Sequence, residues 1–285
     1  MAFFQYVNSI LWGPVMMVLL LGTGVLFTWK LRFIQFRRLK DAFKETFGKM
    51  FDKSVGADAS GISSFQALST AVAAQVGTGN LVGVSTAIAA GGPGAVFWMW
   101  ISGVFGMGTV FAEAVLGQEF KESVDGEMTG GPAFYIRNGL GSKTLAGLFA
   151  VSIVMALGIV GNMVQSNSIA TAMSEAFGIS TLVIGIIIAF LVGLVIIGGL
   201  KRIANITEMV VPFMAVMYFL ASLAVIFINY QSIIPSIKMI FYGAFNPAAA
   251  TGGVIGVSMK QAFRYGIARG LFSNEAGMGS TPHAH

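Results

Sequence analysis

Cysteine is absent from the 285 residues, which excludes a disulfide framework and a thiolate metal site. Charge is scarce: Asp, Glu, Lys and Arg together make up 10% of the chain, against about 25% in an ordinary soluble domain. The only two histidines are His283 and His285, so the hydrophobic body of the chain has no imidazole for general acid–base work. Serines and acids are present, but no nucleophile–base constellation accompanies them. An enzyme is therefore not the expectation.

What the chain has is apolar surface. Hydrophobic residues make up 55% of it, and its mean hydropathy is +0.80. A soluble fold of this size would leave part of that surface as large exposed patches. A bilayer accommodates it. The 37 glycines fit the same solvent, because small residues let membrane helices approach closely. The reading is an all-α polytopic membrane protein.

Seven apolar segments can be traced, at Ile10–Trp29, Ile62–Ala90, Ala95–Gly117, Leu145–Met173, Thr181–Leu200, Ile206–Asn229 and, less cleanly, Val254–His285. Most reach the roughly 20 residues that cross a bilayer. The first lacks a basic leader and is followed by Lys30 and Arg32, so it reads as a retained signal-anchor helix.

The 17 basic residues set the orientation. Eight lie at 30–60 (Lys30, Arg32, Arg37, Arg38, Lys40, Lys44, Lys49, Lys53), followed by Lys121, Arg137, Lys143, Lys201 and Arg202. By the positive-inside rule these are cytoplasmic, the N-terminus is outside and the GGPG connection at 91–94 is outside. The remaining four, Lys238, Lys260, Arg264 and Arg269, run against the bias. The net charge of +5 thus reflects membrane topology, and no nucleic-acid motif accompanies it. Within the basic stretch, LRFIQFRRLKDAFKETF (31–47) carries Phe33, Phe36, Phe43 and Phe47. It is either an amphipathic helix on the inner leaflet or a solvated loop that sets topology.

The second apolar segment contains AQVGTGNLVG (74–83). Its glycines at 77, 79 and 83 give GxGxxxG with no preceding strand, which does not match a dinucleotide fingerprint. Close packing would explain Gly79 and Gly83, but not Gln75, Thr78 and Asn80, which are costly in lipid without partners. An interrupted helix explains all of them. At such breaks half-helix N-termini hold a carboxylate and freed carbonyls hold a cation. Gly77, Thr78 and Gly79 would supply N–H groups and Thr78 a hydroxyl, with Gln75 and Asn80 orienting an amino acid or bracing the break. Backbone carbonyls of Ala74 and Val76 are the candidate Na⁺ ligands. A second polar, glycine-broken run, GLFSNEAGMGS (270–280), lies five segments later. That is where the opposite half of an inverted five-helix repeat would begin, and paired interruptions mark a transporter site.

QVGTGN with GVSTAIAAGGPGAVFWMW, then GGPAFYI and RGLFSNEAGMGS, resemble the alanine/glycine:cation symporter family of the amino acid–polyamine–organocation superfamily, along nearly the whole chain. The resemblance implies the leucine-transporter-like inverted-repeat fold with discontinuous helices. It also implies Na⁺- or H⁺-coupled symport of small neutral amino acids such as alanine and glycine across the plasma membrane, with no cofactor beyond the coupling ion. Expected organisation is a signal-anchor helix and basic segment at 1–60, a first five-helix repeat at 61–230, and an extracellular connection with the first helix of the second repeat at 231–285. On this comparison the chain is expected to be truncated within that second repeat. A membrane channel and a non-transporting truncated protein are the alternatives.

Ser273, Asn274 and Gly277 are carried into the pocket by the second motif. Asn162 and Gln165 share a helix face, either lining the pocket or making interhelical hydrogen bonds, with Asn167 nearby. Glu275 reads as a structural partner for helix ends, Glu113 as hydrogen-bonded to a broken helix or paired near the inner face, and Glu208 as a boundary residue. The terminal HxH pair does not present both rings to one metal. Trp12, Trp29, Trp98 and Trp100 lie near segment ends and read as interfacial anchors.

Overall fold

The computed structural model describes Tyr6 and residues 15–47, 64–124, 127–245 and 259–284. Trp12, Lys49, Lys53, His285 and the start of the last apolar segment lie outside the described residues. A π-helical stretch, Met17–Leu21, leads into α1 (Gly22–Lys30), followed by α2 (Ile34–Arg37) and α3 (Leu39–Phe47). Then come α4 (Ser64–Gln75), α5 (Thr78–Gly91) and α6 (Gly94–Glu119). Strands β1 (Glu122–Val124) and β2 (Glu127–Thr129) form an antiparallel hairpin with Ser123 opposite Met128. Beyond it run α7 (Pro132–Gly139), α8 (Lys143–Ile153), a π-helical stretch Val154–Gly161, α9 (Asn162–Phe177), α10 (Thr181–Ile196) and α11 (Gly199–Ile228). The described part ends with α12 (Ile233–Phe245), α13 (Met259–Asn274) and a 3₁₀ turn, Thr281–Ala284.

Among the described residues four helices are long and apolar enough to cross a membrane: 65–91, 94–119, 143–177 and 201–228. Met17–Lys30 and Thr181–Ile196 are shorter apolar helices. Only 6% of the most apolar window is buried in 143–177 and in 201–228. Apolar helices that keep their side chains on the outside need hydrocarbon around them. The chain is an all-α membrane protein, and among the described residues a small hairpin accompanies the helices.

The chain divides into two compact units: Met1–Asp41, Gly79–Ala112 and Ala215–Met278 form one; Ala42–Thr78, Glu113–Met214 and Gly279–His285 form the other. Two of the boundaries, 78/79 and 278/279, fall in the glycine-broken stretches. Another, 214/215, follows Pro212 inside α11, where proline removes a helical N–H donor.

In the first unit α6 packs at close range. A Cβ on Gly24 of α1 would lie 2.9 Å from the Phe105 carbonyl oxygen, and one on Gly108 of α6 would lie 2.8 Å from Thr28 Oγ1. Cβ atoms at Gly266 and Gly270 of α13 would collide with Ala95 and Ser102 of α6. Glycine is what allows these approaches. Trp98 is drawn inward: its ring sits edge-on to Phe97 and Phe263, and its indole N–H donates to the Ala244 carbonyl at 3.3 Å. Trp29 and Trp100 stay exposed.

In the second unit a polar seam joins α4 and α11. Gln66 Nε2 donates to Glu208 Oε2 at 2.8 Å and to Asn205 Oδ1 at 3.2 Å. The Thr70 and Thr207 hydroxyls are 3.1 Å apart. Gln66 and Thr70 are one helical turn apart on the same face. On the hairpin side, Glu122 accepts from Arg137 and Asn138 of α7.

Candidate substrate and cation site

The first interruption is two residues long. α4 ends at Gln75, Val76 and Gly77 leave helical geometry, and α5 restarts at Thr78. The last carbonyls of α4, with Ala74 among them, and the first N–H groups of α5 therefore meet at one place in the chain. The first carry partial negative charge and the second partial positive charge. Val76 and Gly77 are the two residues between those helix ends.

The second interruption is longer and more distorted. α13 ends at Asn274, and helical structure resumes only at Thr281. Glu275 stands in the left-handed region at φ 52°, with Gly277 at φ 79° and Gly279 at φ 75°. A non-glycine residue there costs about 1–2 kcal/mol, which the surrounding contacts must offset. Part of that support is visible: Met278 N–H donates to the Glu275 carbonyl at 3.2 Å.

Within the first unit, α5 and α13 bring two motif residues into direct contact. The Ser273 hydroxyl donates to Asn80 Oδ1. One residue earlier on each helix, the Phe272 ring lies 3.5 Å from where a Cβ on Gly79 would stand. Asn274 turns toward α6, its Nδ2 3.5 Å from a Cβ position on Gly103. Within the second unit, Gln75 Nε2 donates to Thr281 Oγ1 at 2.8 Å. Gln165 reaches the first break as well: a Cβ on Gly77 would lie 2.9 Å from its Oε1 and 3.0 Å from its Nε2. Asn162 instead bonds back to its own helix, Nδ2 to the Gly158 carbonyl at 3.0 Å. Gln165 thus sits on the first break, whereas Asn162 does not.

Glu113, 8% exposed, accepts from the Gly279 N–H at 3.2 Å. This is the bond to a broken helix expected from its place in mid-segment. Around it, Gly117 faces Pro282, Gly131 (φ 109°) faces His283, and Gly279 faces Phe149 and Pro132. Tyr135 belongs to the same cluster, its phenol pushed up to about 12 by burial and then by the Glu113 charge. The sequence reading missed the roles of Thr281, Phe272 and Tyr135. Tyr135 lies in the GGPAFYI motif and Phe272 in GLFSNEAGMGS, whereas Thr281 falls just beyond the latter.

A helical membrane protein with two interrupted helices, side chains of each touching the other, is the class these observations define. The sequence profile of the sodium:alanine symporter family matches residues 1–285, and the chain belongs to that family. It is 47% identical over 284 residues to the sodium/alanine symporter AgcS of Methanococcus maripaludis, covering 98% of this chain and 61% of that protein. It is 46% identical over 281 residues to the putative sodium/proton-dependent alanine carrier protein YrbD of Bacillus subtilis, covering 99% and 56%. The probable sodium/glutamine symporter GlnT of Bacillus subtilis is 41% identical over 277 residues, covering 97% and 56%. The chain spans about three fifths of the length of these curated relatives.

Proposed function

We propose that this chain serves secondary active transport: symport of a small neutral amino acid, alanine or glycine, with Na⁺ or H⁺ across the plasma membrane. The observation that carries the reading is the crossed pairing of the two interrupted helices. The stretch after the first break meets the stretch before the second through Asn80 and Ser273. The stretch before the first break meets the stretch after the second through Gln75 and Thr281. Each contact joins a segment beside one interruption to a segment beside the other, and paired interrupted segments mark a transporter site. The leucine-transporter-like fold, with a first five-helix repeat at 61–230, is the architecture that fits it.

In this reading the substrate carboxylate lies at the start of α5 on the N–H groups of Gly77, Thr78 and Gly79, with the Thr78 hydroxyl beside them. Gln165, Gln75, Asn80, Ser273, Asn274 and Gly277 shape the remainder, with Asn162 on its margin. The cation takes backbone carbonyls of Ala74 and Val76 at the end of α4. Na⁺ suits that ligand set, since hard oxygen donors without thiolate or imidazole bind such an ion well. The names of AgcS, YrbD and GlnT agree with a sodium-coupled amino acid carrier. The charge bias puts the N-terminus outside and the 30–60 stretch in the cytoplasm.

Counterflow of labelled alanine and glycine in proteoliposomes, with and without Na⁺, tests the proposal. Saturable, stereoselective and Na⁺-stimulated exchange is expected. Flux that is non-saturable and indifferent to stereochemistry would mean a channel and overturn it.

A further inference from the structure

At the end of α1 the chain makes a corner that holds residues in unfavourable backbone conformations. Phe33 N–H donates to the Thr28 carbonyl at 2.8 Å and Arg32 N–H to the Trp29 carbonyl at 2.9 Å. These are the paired bonds of a Schellman helix end, whose left-handed position is usually glycine. Here that position is Arg32, at φ 53°, and Phe33 follows at φ 54°. Strain of this kind at a surface points to a use for the side chains that occupy it. Gln35 fixes the corner: its Nε2 donates to Thr28 Oγ1 at 3.3 Å and to the Val104 carbonyl of α6 at 3.4 Å.

The pinned segment shows two kinds of side chain to its surroundings. Trp29, Phe33, Phe36 and Leu39 are 77%, 55%, 61% and 51% exposed. Between and beside them stand Lys30, Arg32, Arg37, Arg38 and Lys40. The single acid of the stretch, Asp41, is paired with Arg38 at 2.6 Å. Water suits the cations but not the rings, and a protein groove would have to match both within a dozen residues. A phospholipid surface matches both at once, with acyl chains for the rings and phosphates for the cations. The corner also continues directly from the apolar helix Met17–Lys30, and basic and aromatic residues at the end of such a helix suit the headgroup region.

We propose that the corner from Trp29 to Asp41 is a binding surface for anionic phospholipid, with Arg32, Arg37 and Arg38 gripping headgroup phosphate while Phe33, Phe36 and Leu39 enter the acyl boundary. Arginine is suited to this because its planar fork pairs two donors with phosphate oxygens.

Native mass spectrometry of the detergent-purified chain, titrated with phosphatidylglycerol or phosphatidylcholine, provides the test. Phosphatidylglycerol adducts are expected to dominate, and R32Q/R37Q/R38Q is expected to lower their apparent affinity on the order of tenfold or more. The control K143Q/K201Q, with the same type of charge lost elsewhere, should leave it unchanged. Arg32→Gly guards against misfolding as the cause, because glycine relieves the left-handed strain while removing one cation. It should raise the melting temperature and still weaken phosphatidylglycerol binding. Equal binding of the two lipids by the parent chain, an unchanged affinity in the triple variant, or displacement of the lipid by millimolar inorganic phosphate would overturn the proposal.

Discussion

The Ser273 hydroxyl donates to the carboxamide oxygen of Asn80 across 193 residues of sequence, joining the last turn of α13 to the first turn of α5. Both residues stand beside an interruption, so the bond fixes one broken helix against the other. A bond between side chains in a membrane helix pair contributes about 0.6–2 kcal/mol. Ser273→Ala and Asn80→Ala should each destabilise the purified protein, and the double variant should cost less than the two singles added. Thermal unfolding in detergent measures the cycle. Strict additivity would show that the bond carries no energy.

Gly79 and Gly77 differ in what surrounds them, and their substitutions should differ accordingly. A Cβ on Gly79 meets only the Phe272 ring, at the ordinary contact distance of 3.5 Å. Gly79→Ala should therefore be tolerated, whereas Gly79→Leu should collide with the ring and abolish Na⁺-stimulated alanine binding without preventing membrane insertion. A Cβ on Gly77 meets the Gln165 carboxamide at 2.9 Å. Gly77→Ala should displace that side chain and weaken binding, Gln165→Ala should do the same, and the double variant should be no worse than either. Scintillation-proximity binding with labelled alanine reads all five. Unaltered affinity in Gly79→Leu would return the glycines to a packing role.

How much of this was legible beforehand depends on the kind of signal. Both interruptions were readable because Gln75, Thr78, Asn80, Ser273 and Asn274 are polar residues among glycines in apolar runs, which lipid makes costly. Glu113 was readable for the same reason. The π-helical stretch Val154–Gly161 left no trace, since VMALGIVG is apolar at every position and changes no hydropathy pattern. The hairpin was hidden by its size, three residues a strand, too short for alternation to register. The α4–α11 seam was half visible. Gln66 with Thr70, and Asn205 with Glu208, have helical spacing, but nothing in either pair says that the other is its partner. Trp98 looked like an interfacial anchor from its place near a segment end. Besides Phe97 next to it, its aromatic neighbours Phe245 and Phe263 come from α12 and α13, far away in sequence.

Topology has a direct test because the chain has no native cysteine. Gly92 stands at φ 70°, where a cysteine would be strained. The neighbouring Pro93 is exposed and is the better reporter. Pro93→Cys should react with an impermeant maleimide from outside intact cells, while Leu140→Cys, 72% exposed between α7 and α8, should react only after permeabilisation. The reverse pattern would invert the orientation and with it the reading of the basic stretch at 30–60.

The α4–α11 seam should matter to stability in a way that separates its two acceptors. Gln66→Leu removes the donor to both the exposed Asn205 and the part-buried Glu208, and loss of the bond to Glu208 should cost about 1–3 kcal/mol. Glu208→Gln keeps an acceptor oxygen for Gln66 and should cost less. Asn205→Ala removes only the longer of the two bonds and should cost least. Melting temperatures of the three variants in one detergent give the order, and a Gln66→Leu variant as stable as the parent would show the seam to be energetically idle.

Tyr135 gives a pH signature. Its phenol is pushed up from 10 to about 12, by burial first and by the negative charge of Glu113 second. A proton held more tightly in the folded state than in the unfolded one stabilises the fold, and the sign follows from linkage. Below pH 10 both states keep the proton and the stabilisation is fully present. As the pH climbs through 10 the unfolded chain ionises first, and stability declines up to pH 12. In a spectrophotometric titration a late phenol ionisation near pH 12 is expected, and Tyr135→Phe should remove it. Tyr135→Phe should also flatten the fall in melting temperature above pH 10. Replacing Glu113 with glutamine removes the charge but keeps an oxygen for the Gly279 N–H. The late step should then move to lower pH while staying above 10, because burial, the larger cause, is unchanged. A late step unaffected by Tyr135→Phe would assign it to another tyrosine and dissociate Tyr135 from the cluster around Glu113.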